Sequence, residues 1–298
     1  MGDRLRWEEH RHQWPHADKS RFVHAGGMRW HAQVGGDAER VALLVHGTGS
    51  SAHSWRHLID PLCERFTVVA PDLPGHGFSS PPSCGADAMS LPTMARALGE
   101  LMRRLDLLHA RRPLLLVGHS AGAALLIRAC LDGQLSGNDI RLLGLCSAVM
   151  PFPGVAGHLL KPIARGLARV AIVAPVFALR VRSDRSVIRQ LLRQTGSSLD
   201  AKGVDHYRTL AGNAEHVRSA LDMMAAWDLH SLARDLCRLR TPATLVAAEL
   251  DGTIPARHAY AAAALIPDAI ATTLTGVGHL AHEEAPDRIL EVLSQNGW

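Results

Sequence analysis

The stretch RPLLLVGHSAGAALLIRACL, Arg112 to Leu131, decides the fold. Its first half, PLLLVG, is an unbroken apolar run of the kind a strand covered on both faces requires. Its second half, AGAALLIRACL, is rich in alanine and leucine and reads as a helix. Between them stands Gly118-His119-Ser120-Ala121-Gly122, a G-x-S-x-G sequence. A serine at so tight a strand-to-helix turn takes a strained backbone conformation, and flanking glycines let the turn close without side-chain clashes. The Ser120 hydroxyl is thereby lifted clear of the sheet edge, above a helix N-terminus. The bland alternative, a glycine-rich loop that happens to contain serine, accounts for the pentapeptide but not for its flanks.

Working outward, Val41–Gly47, Arg65–Asp72, Leu142–Met150, Thr241–Asp251 and Ala269–Gly276 read as further strands. Helical patterns lie between them at His53–Arg65, Leu91–Leu108, Ala121–Leu131, Pro255–Leu265 and Leu280–Leu293. This alternation predicts a mostly parallel, doubly wound α/β sheet with helices on both faces. FVHAGG and MRWHAQVGG, before Val41, read as an antiparallel hairpin leading in. One region breaks the alternation: residues 150–226 carry helical but no convincing strand patterns. The expected organisation is a polar tail at 1–20, a core at 21–149 and 227–298, and a helical cap at 150–226 inserted after the sixth strand.

Composition limits the alternatives. With 298 residues, 47% apolar and 20% charged, the chain has the balance of a folded globular protein. Five cysteines without a CxxC pair argue against a disulfide framework or a structural zinc site and suit a reducing cytoplasm. The opening residues, MGDRLRWEEHRHQWPHADKS, have no apolar core for a signal peptide. The longest clean apolar run, Val170–Leu179, is far short of the ~20 residues that span a bilayer. A cytoplasmic protein is expected. The net charge of +4 is unevenly spread: residues 150–226 hold eleven Lys and Arg against five Asp and Glu, so the basic character belongs to that segment.

A serine hydroxyl needs a base, and the base needs an orienting carboxylate. In this topology the chain order is serine, acid, histidine, each after a later strand. Asp251 ends the strand TLVAAEL, and His279 follows AIATTLTGVG. Glu249 competes for the acid role, but strand alternation directs it elsewhere; SAVMPF, after the earlier strand, offers no carboxylate. His282 reads as a structural residue of the last helix. The developing oxyanion calls for two backbone donors: the N–H of Ala121 and, from the loop His46-Gly47-Thr48-Gly49, the N–H of Thr48. His76 and His119 are expected near the site as shape or hydrogen-bond elements. His10, His12 and His16 fit a mobile polar tail better than a metal site. Cys130 and Cys146 read as core residues. The chemistry requires no metal and no organic cofactor.

Together HGTGSS, DLPGHGFS (Asp72–Ser79), GHSAG, Asp251 and GHLAHEEAPD resemble the α/β-hydrolase superfamily across nearly the whole chain. Members that use an aspartate nucleophile, the haloalkane dehalogenases and epoxide hydrolases of this fold, are excluded by Ser120. A narrower resemblance runs through SRFVHAGGMRWHAQ, HGTGSSAHSWR, SLPTMARAL, GHSAGAAL and GNAEHVRSALDMMAAWDLHSLARDL. These look like the magnesium-chelatase accessory protein of bacteriochlorophyll biosynthesis (the BchO type), cap included. The resemblance implies a role near magnesium insertion into protoporphyrin IX, with magnesium chelatase subunits as partners, and prescribes no reaction.

The cap's charge has its own pattern. Lys161, Arg165 and Arg169 are spaced by four, and Arg182, Arg185, Arg189 and Arg193 form a second stripe, interleaved with Leu159, Ile163, Ile172, Val176 and Leu179. Three readings stay open: a solvated cationic face, peripheral contact with an anionic membrane surface, or contact with an anionic apolar small molecule such as a porphyrin. In the last case Arg165, Arg169 and His119 are the expected substrate contacts. Nucleic acid is disfavoured, since two Tyr and five Phe leave little for base stacking. The leading functional expectation is a serine hydrolase of an ester or similar acyl bond, linked through the resemblance to the magnesium-protoporphyrin stage. The alternatives are a non-catalytic tetrapyrrole-binding or delivery factor and a carbon–carbon bond hydrolase.

Overall fold

Each central apolar run becomes a strand because both of its faces are covered. In β3 (Val41–Val45), Val41, Leu43 and Val45 enter one core while Ala42 and Leu44 enter the other. In a computed structural model, which describes residues 4–82, 87–108, 112–135, 137, 139–151, 166 and 170–298, this pattern builds one eight-stranded sheet. Its other strands are β1 (Ser20–Ala25), β2 (Met28–Gly35), β4 (Thr67–Pro71), β5 (Leu114–His119), β6 (Ile140–Leu145), β7 (Ala243–Ala248) and β8 (Ala269–Leu274). The order is β1-β2-β4-β3-β5-β6-β7-β8. β1 and β2 are the expected hairpin, β2 meets β4 antiparallel, and every later pairing is parallel.

The helices are α1 (Trp7–His10), α2 (Ile59–Cys63), α3 (Leu91–Arg104), α4 (Ala121–Leu131), α5 (Val173–Ser183), α6 (Arg185–Gln194), α7 (Ala201–Ala211), α8 (Ala214–Ala226), α9 (Leu229–Asp235), α10 (Arg257–Ala263), α11 (Ala281–Glu284) and α12 (Pro286–Gln295). One core takes Leu91, Met94, Leu98 and Leu101 of α3 together with α4 and α10; the other takes Trp55, Ile59 of α2 and Ile289 of α12. Between β6 and β7 the described residues form helices and no strand. There Val181, Ile188, Leu192, Val204 and Tyr207 make a small core of their own, closed onto Leu280.

Several expected boundaries shift for local reasons. The helix expected at His53–Arg65 is a 3-10 turn, Ala52–Trp55, followed by α2. The strand expected to reach Met150 stops at Leu145, because Cys146 takes a positive φ of 47° and turns the chain. The helix expected at Leu280–Leu293 is cut in two before Pro286, with Ala285 at φ −140° and ψ 60°, as the residue ahead of a proline must leave the helical region. The arginine stripe is divided likewise: Asp184 ends α5 and caps α6 by accepting from the Ser186 N–H at 2.8 Å. Arg182 therefore sits on one helix and Arg185, Arg189 and Arg193 on the next. Lys161, Arg165 and Arg169 lie outside the described residues.

The N-terminal segment is docked rather than mobile. Trp14 is buried against Phe78 and Leu210, and Trp7 meets Phe78 edge-on at 5.1 Å. Arg4 donates to the Ser79 carbonyl and His16 to that of Arg56. The two tryptophans supply the apolar surface that the charged composition of the segment obscures.

Candidate active site

Every chemically distinctive loop named above emerges at the carboxyl ends of the strands, where open α/β sheets bind ligands. Ser120, between β5 and α4, has φ 52° and ψ −116°, a strained conformation for a non-glycine residue. The turn is clamped on both sides: the Ser120 N–H donates to the Leu145 carbonyl at 2.8 Å, and the Ala148 N–H donates to the Ser120 carbonyl at 3.1 Å. Gly122 has to be glycine, because a Cβ there would lie 2.0 Å from the Val45 carbonyl oxygen. Ala121 opens α4, with its N–H among the helix's unsatisfied donors.

Asp251 and His279 meet as expected. Nδ1 of His279 lies 2.8 Å from Oδ2 of Asp251, and both side chains are nearly or fully buried. Oδ1 of Asp251 accepts from the N–H groups of Thr253 (2.7 Å) and Ile254 (2.8 Å), which leaves Oδ2 for the imidazole. The His279 backbone is held by its N–H to the Thr195 carbonyl and by its own carbonyl, which accepts from Nε2 of His119 at 2.9 Å. Glu249 faces elsewhere and accepts from the Gly276 N–H. His282 is buried between Trp55 and His119, a packing position.

The loop after β3 presses on the serine. A Cβ at Gly47 would lie 3.1 Å from that of Ser120, so Thr48 follows at the lip of the same site. Two buried side chains hold this loop. His46 donates through Nδ1 to the Gly47 carbonyl and accepts at Nε2 from the Leu73 N–H. Asp72 accepts from the N–H groups of Ala52 (2.7 Å) and Phe78 (2.9 Å) and from His31. Burial pushes His46 below its ordinary range, which matches the neutral tautomer these bonds require.

A cavity of about 230 Å³ opens over Ser120. Thr48, His119, Ser120 and His279 form its floor; Phe177, Leu192, Val217 and Leu221 form much of its apolar wall. Among the described residues lining it there is no lysine or arginine. Further polar features come from residues the sequence did not single out. The Tyr207 hydroxyl donates to Oε1 of Glu283 at 2.8 Å and lies 3.1 Å from Oγ of Ser50. Burial pushes the Glu283 carboxyl up to about 7, while the paired Arg56 pulls the other way. Arg56 also reaches Asp200 at 3.1 Å, so one core guanidinium ties down the start of α7. His216 accepts from the Gly77 N–H and donates to the Gly49 carbonyl, and burial brings it down to about 4. His76, expected near the site, stands behind His216, its ring 5.1 Å away.

Cys146 was read as core and is buried, but it adjoins the site as well: donor atoms of Cys146, Asp251 and His279 all lie within 4.8 Å of one another. A thiolate, carboxylate and imidazole would suit a zinc-type ion rather than magnesium. Asp251 and His279 are already bonded to each other, however, and burial beside Asp251 pushes the Cys146 thiol up, toward its protonated, non-ligating form.

Residues 42–292 match the Alpha/beta hydrolase family, and the chain belongs to it. More narrowly, it is 38% identical over 275 residues to the Magnesium-chelatase 30 kDa subunit of Rhodobacter capsulatus, covering 92% of this chain and 93% of that one, and it is a member of that subunit's family. Among solved structures, an esterase of Thermogutta terrifontis aligns with a TM-score of 0.68 at 21% identity, over 92% of this chain and 97% of that one. The epoxide hydrolase CorEH aligns with a TM-score of 0.72 at 22% identity, over 93% and 97%. At these identities the two structures speak for the fold alone.

Proposed function

We propose that the chain is a serine hydrolase of an ester or similar acyl bond. The observation that carries this reading is a strained Ser120 opening onto the same cavity as an imidazole held by Asp251 at 2.8 Å. In this reading Ser120 Oγ attacks the acyl carbon as its proton passes to Nε2 of His279. The tetrahedral oxyanion is held by the N–H groups of Thr48 and Ala121. His279 returns the proton to the departing alkoxide, and water then releases the acyl group from Ser120 by the same steps in reverse roles. Asp251 keeps Nδ1 of His279 protonated, so that Nε2 is free to act as base.

The cavity bears on the substrate. Its volume of about 230 Å³ falls below the ~300–1,000 Å³ of pockets that enclose drug-sized ligands. An acyl or alkyl arm fits, with the rest of a larger molecule outside. The Rhodobacter capsulatus relative is named as a magnesium-chelatase subunit. Carried to this chain, that name favours a pigment precursor as substrate, with one peripheral ester arm reaching Ser120. The same name supports a second reading: a tetrapyrrole-binding factor that assists magnesium chelatase without using the serine.

Intact-mass labelling with a small fluorophosphonate separates the two. The hydrolase reading expects one adduct on the wild-type chain and none on Ser120→Ala. Absence of any adduct on folded wild type, beside a control esterase that labels, would overturn it. Retention of porphyrin binding and chelatase assistance by Ser120→Ala would then establish the binding factor.

A further inference from the structure

α5 is inside out by side-chain size. Its buried positions are Ala174, Ala178 and Val181, whereas Val176 and Leu179 face outward at 55% and 58% exposure. Ile172, one residue before the helix, is 65% exposed and continues the same stripe at i, i+4 and i+7. Val170, just before it, and Leu191, on α6, are exposed as well. Half of the large apolar side chains most exposed among the described residues thus fall within 170–191. An amphipathic helix folded for water alone would turn these faces the other way.

The surroundings say what covers the stripe. Residues 170–194 carry Arg180, Arg182, Arg185, Arg189 and Arg193, all exposed, against a single acid, Asp184. Asp184 pairs with Arg180 at 2.8 Å, and Arg185 pairs with Asp205. Among the described residues no carboxylate pairs with Arg182, Arg189 or Arg193. Hot spots of protein interfaces are enriched in Trp, Tyr and Arg, with Leu and Val under-represented. Here the exposed stripe is purely aliphatic and rimmed by unpaired guanidinium groups, which complements acyl chains beneath anionic headgroups. No described helix is long and apolar enough to cross a membrane, so the contact would be peripheral.

We propose that α5, with Ile172 before it and the arginines that flank it, docks the protein on an anionic lipid bilayer surface. α5 also lines the cavity over Ser120 through Phe177, so the docked helix adjoins the cavity. The docking stands apart from the chemistry at Ser120 and can fail or hold independently of it.

Co-sedimentation of the full chain with vesicles tests it, using phosphatidylcholine alone and phosphatidylcholine with about a third phosphatidylglycerol. Binding is expected only to the anionic vesicles and should weaken at least tenfold in ~1 M salt, where screening reaches ~3 Å. Ile172→Ser/Val176→Ser/Leu179→Ser should lower binding tenfold or more. Arg182→Gln/Arg189→Gln/Arg193→Gln should remove the salt-sensitive part. Unchanged melting curves check that these surface variants fold; single Val176→Glu replaces the triple variant if it does not. Equal binding to both vesicle types, or binding untouched by both sets of substitutions, overturns the proposal. So does a dimer in sedimentation velocity that the apolar substitutions dissolve, since a second copy would then be what covers the stripe.

Discussion

At the scale of single residues, the site depends on how little room surrounds the serine. A Cβ on Gly122 would meet the Val45 carbonyl at 2.0 Å, whereas a Cβ on Gly49 would meet nothing within 4 Å. Gly49 does have φ 75°, so a side chain there is strained even in open space. Gly122→Ala should therefore cost about 3 kcal/mol or more, by forcing β3 and α4 apart. Gly49→Ala should cost only the ~1–2 kcal/mol of placing alanine in a left-handed conformation. Chemical denaturation of the two variants checks the ranking; equal costs would mean the turn yields far more easily than its contacts imply. Ser120, Asp251 and His279 were legible because each follows a recognisable strand. Cys146 was legible only as buried, since its closeness to Asp251 and His279 comes from a positive φ that no local pattern announces.

At the scale of elements, the alternation of strands and helices and the hairpin were readable because buried strands need continuous apolar runs. What escaped were contacts between elements distant in sequence. Tyr207 of α7 and Glu283 of α11 are 76 residues apart, and each alone reads as an ordinary helix residue. Their bond joins α7 to the core beside the cavity, next to the Arg56–Asp200 pair. Tyr207→Phe leaves Oε1 of Glu283 and Oγ of Ser50 without this partner in a buried place. The expected loss is about 1.5–3 kcal/mol, the range for hydrogen bonds to charged groups. α7 should also loosen first, seen as faster amide exchange in 201–211 than in β5. Unchanged exchange there would mean that apolar packing around Leu192 and Val204, not the hydroxyl, holds this helix down.

At the scale of the whole molecule, eighteen histidines are the distinctive feature of the composition, and the fold buries many of them as neutral rings. Burial pushes His46, His53, His76, His119, His216 and His282 below the ordinary histidine range. In the unfolded chain each would take a proton near pH 6.5, so below that pH the unfolded state binds more protons than the folded one. Their contribution to stability is complete above about pH 6.5 and is lost as pH falls toward their folded values. Each such ring can remove up to ~1.4 kcal/mol per pH unit in that window. Glu283 runs the opposite way. Its folded value is raised to about 7, so its contribution is full below the ordinary carboxyl range and fades as pH rises toward 7. One carboxyl against six imidazoles leaves the histidines in control. The melting temperature should hold between pH 7 and 8, then fall steeply between about 6.5 and 5, with several protons taken up per molecule unfolded. Calorimetric melts across that range, read with the pH dependence of the unfolding midpoint, measure both quantities. A flat melting temperature down to pH 5 would show that these rings accept protons inside the fold, and the hydrogen bonds that hold His46 and His216 would need a different assignment.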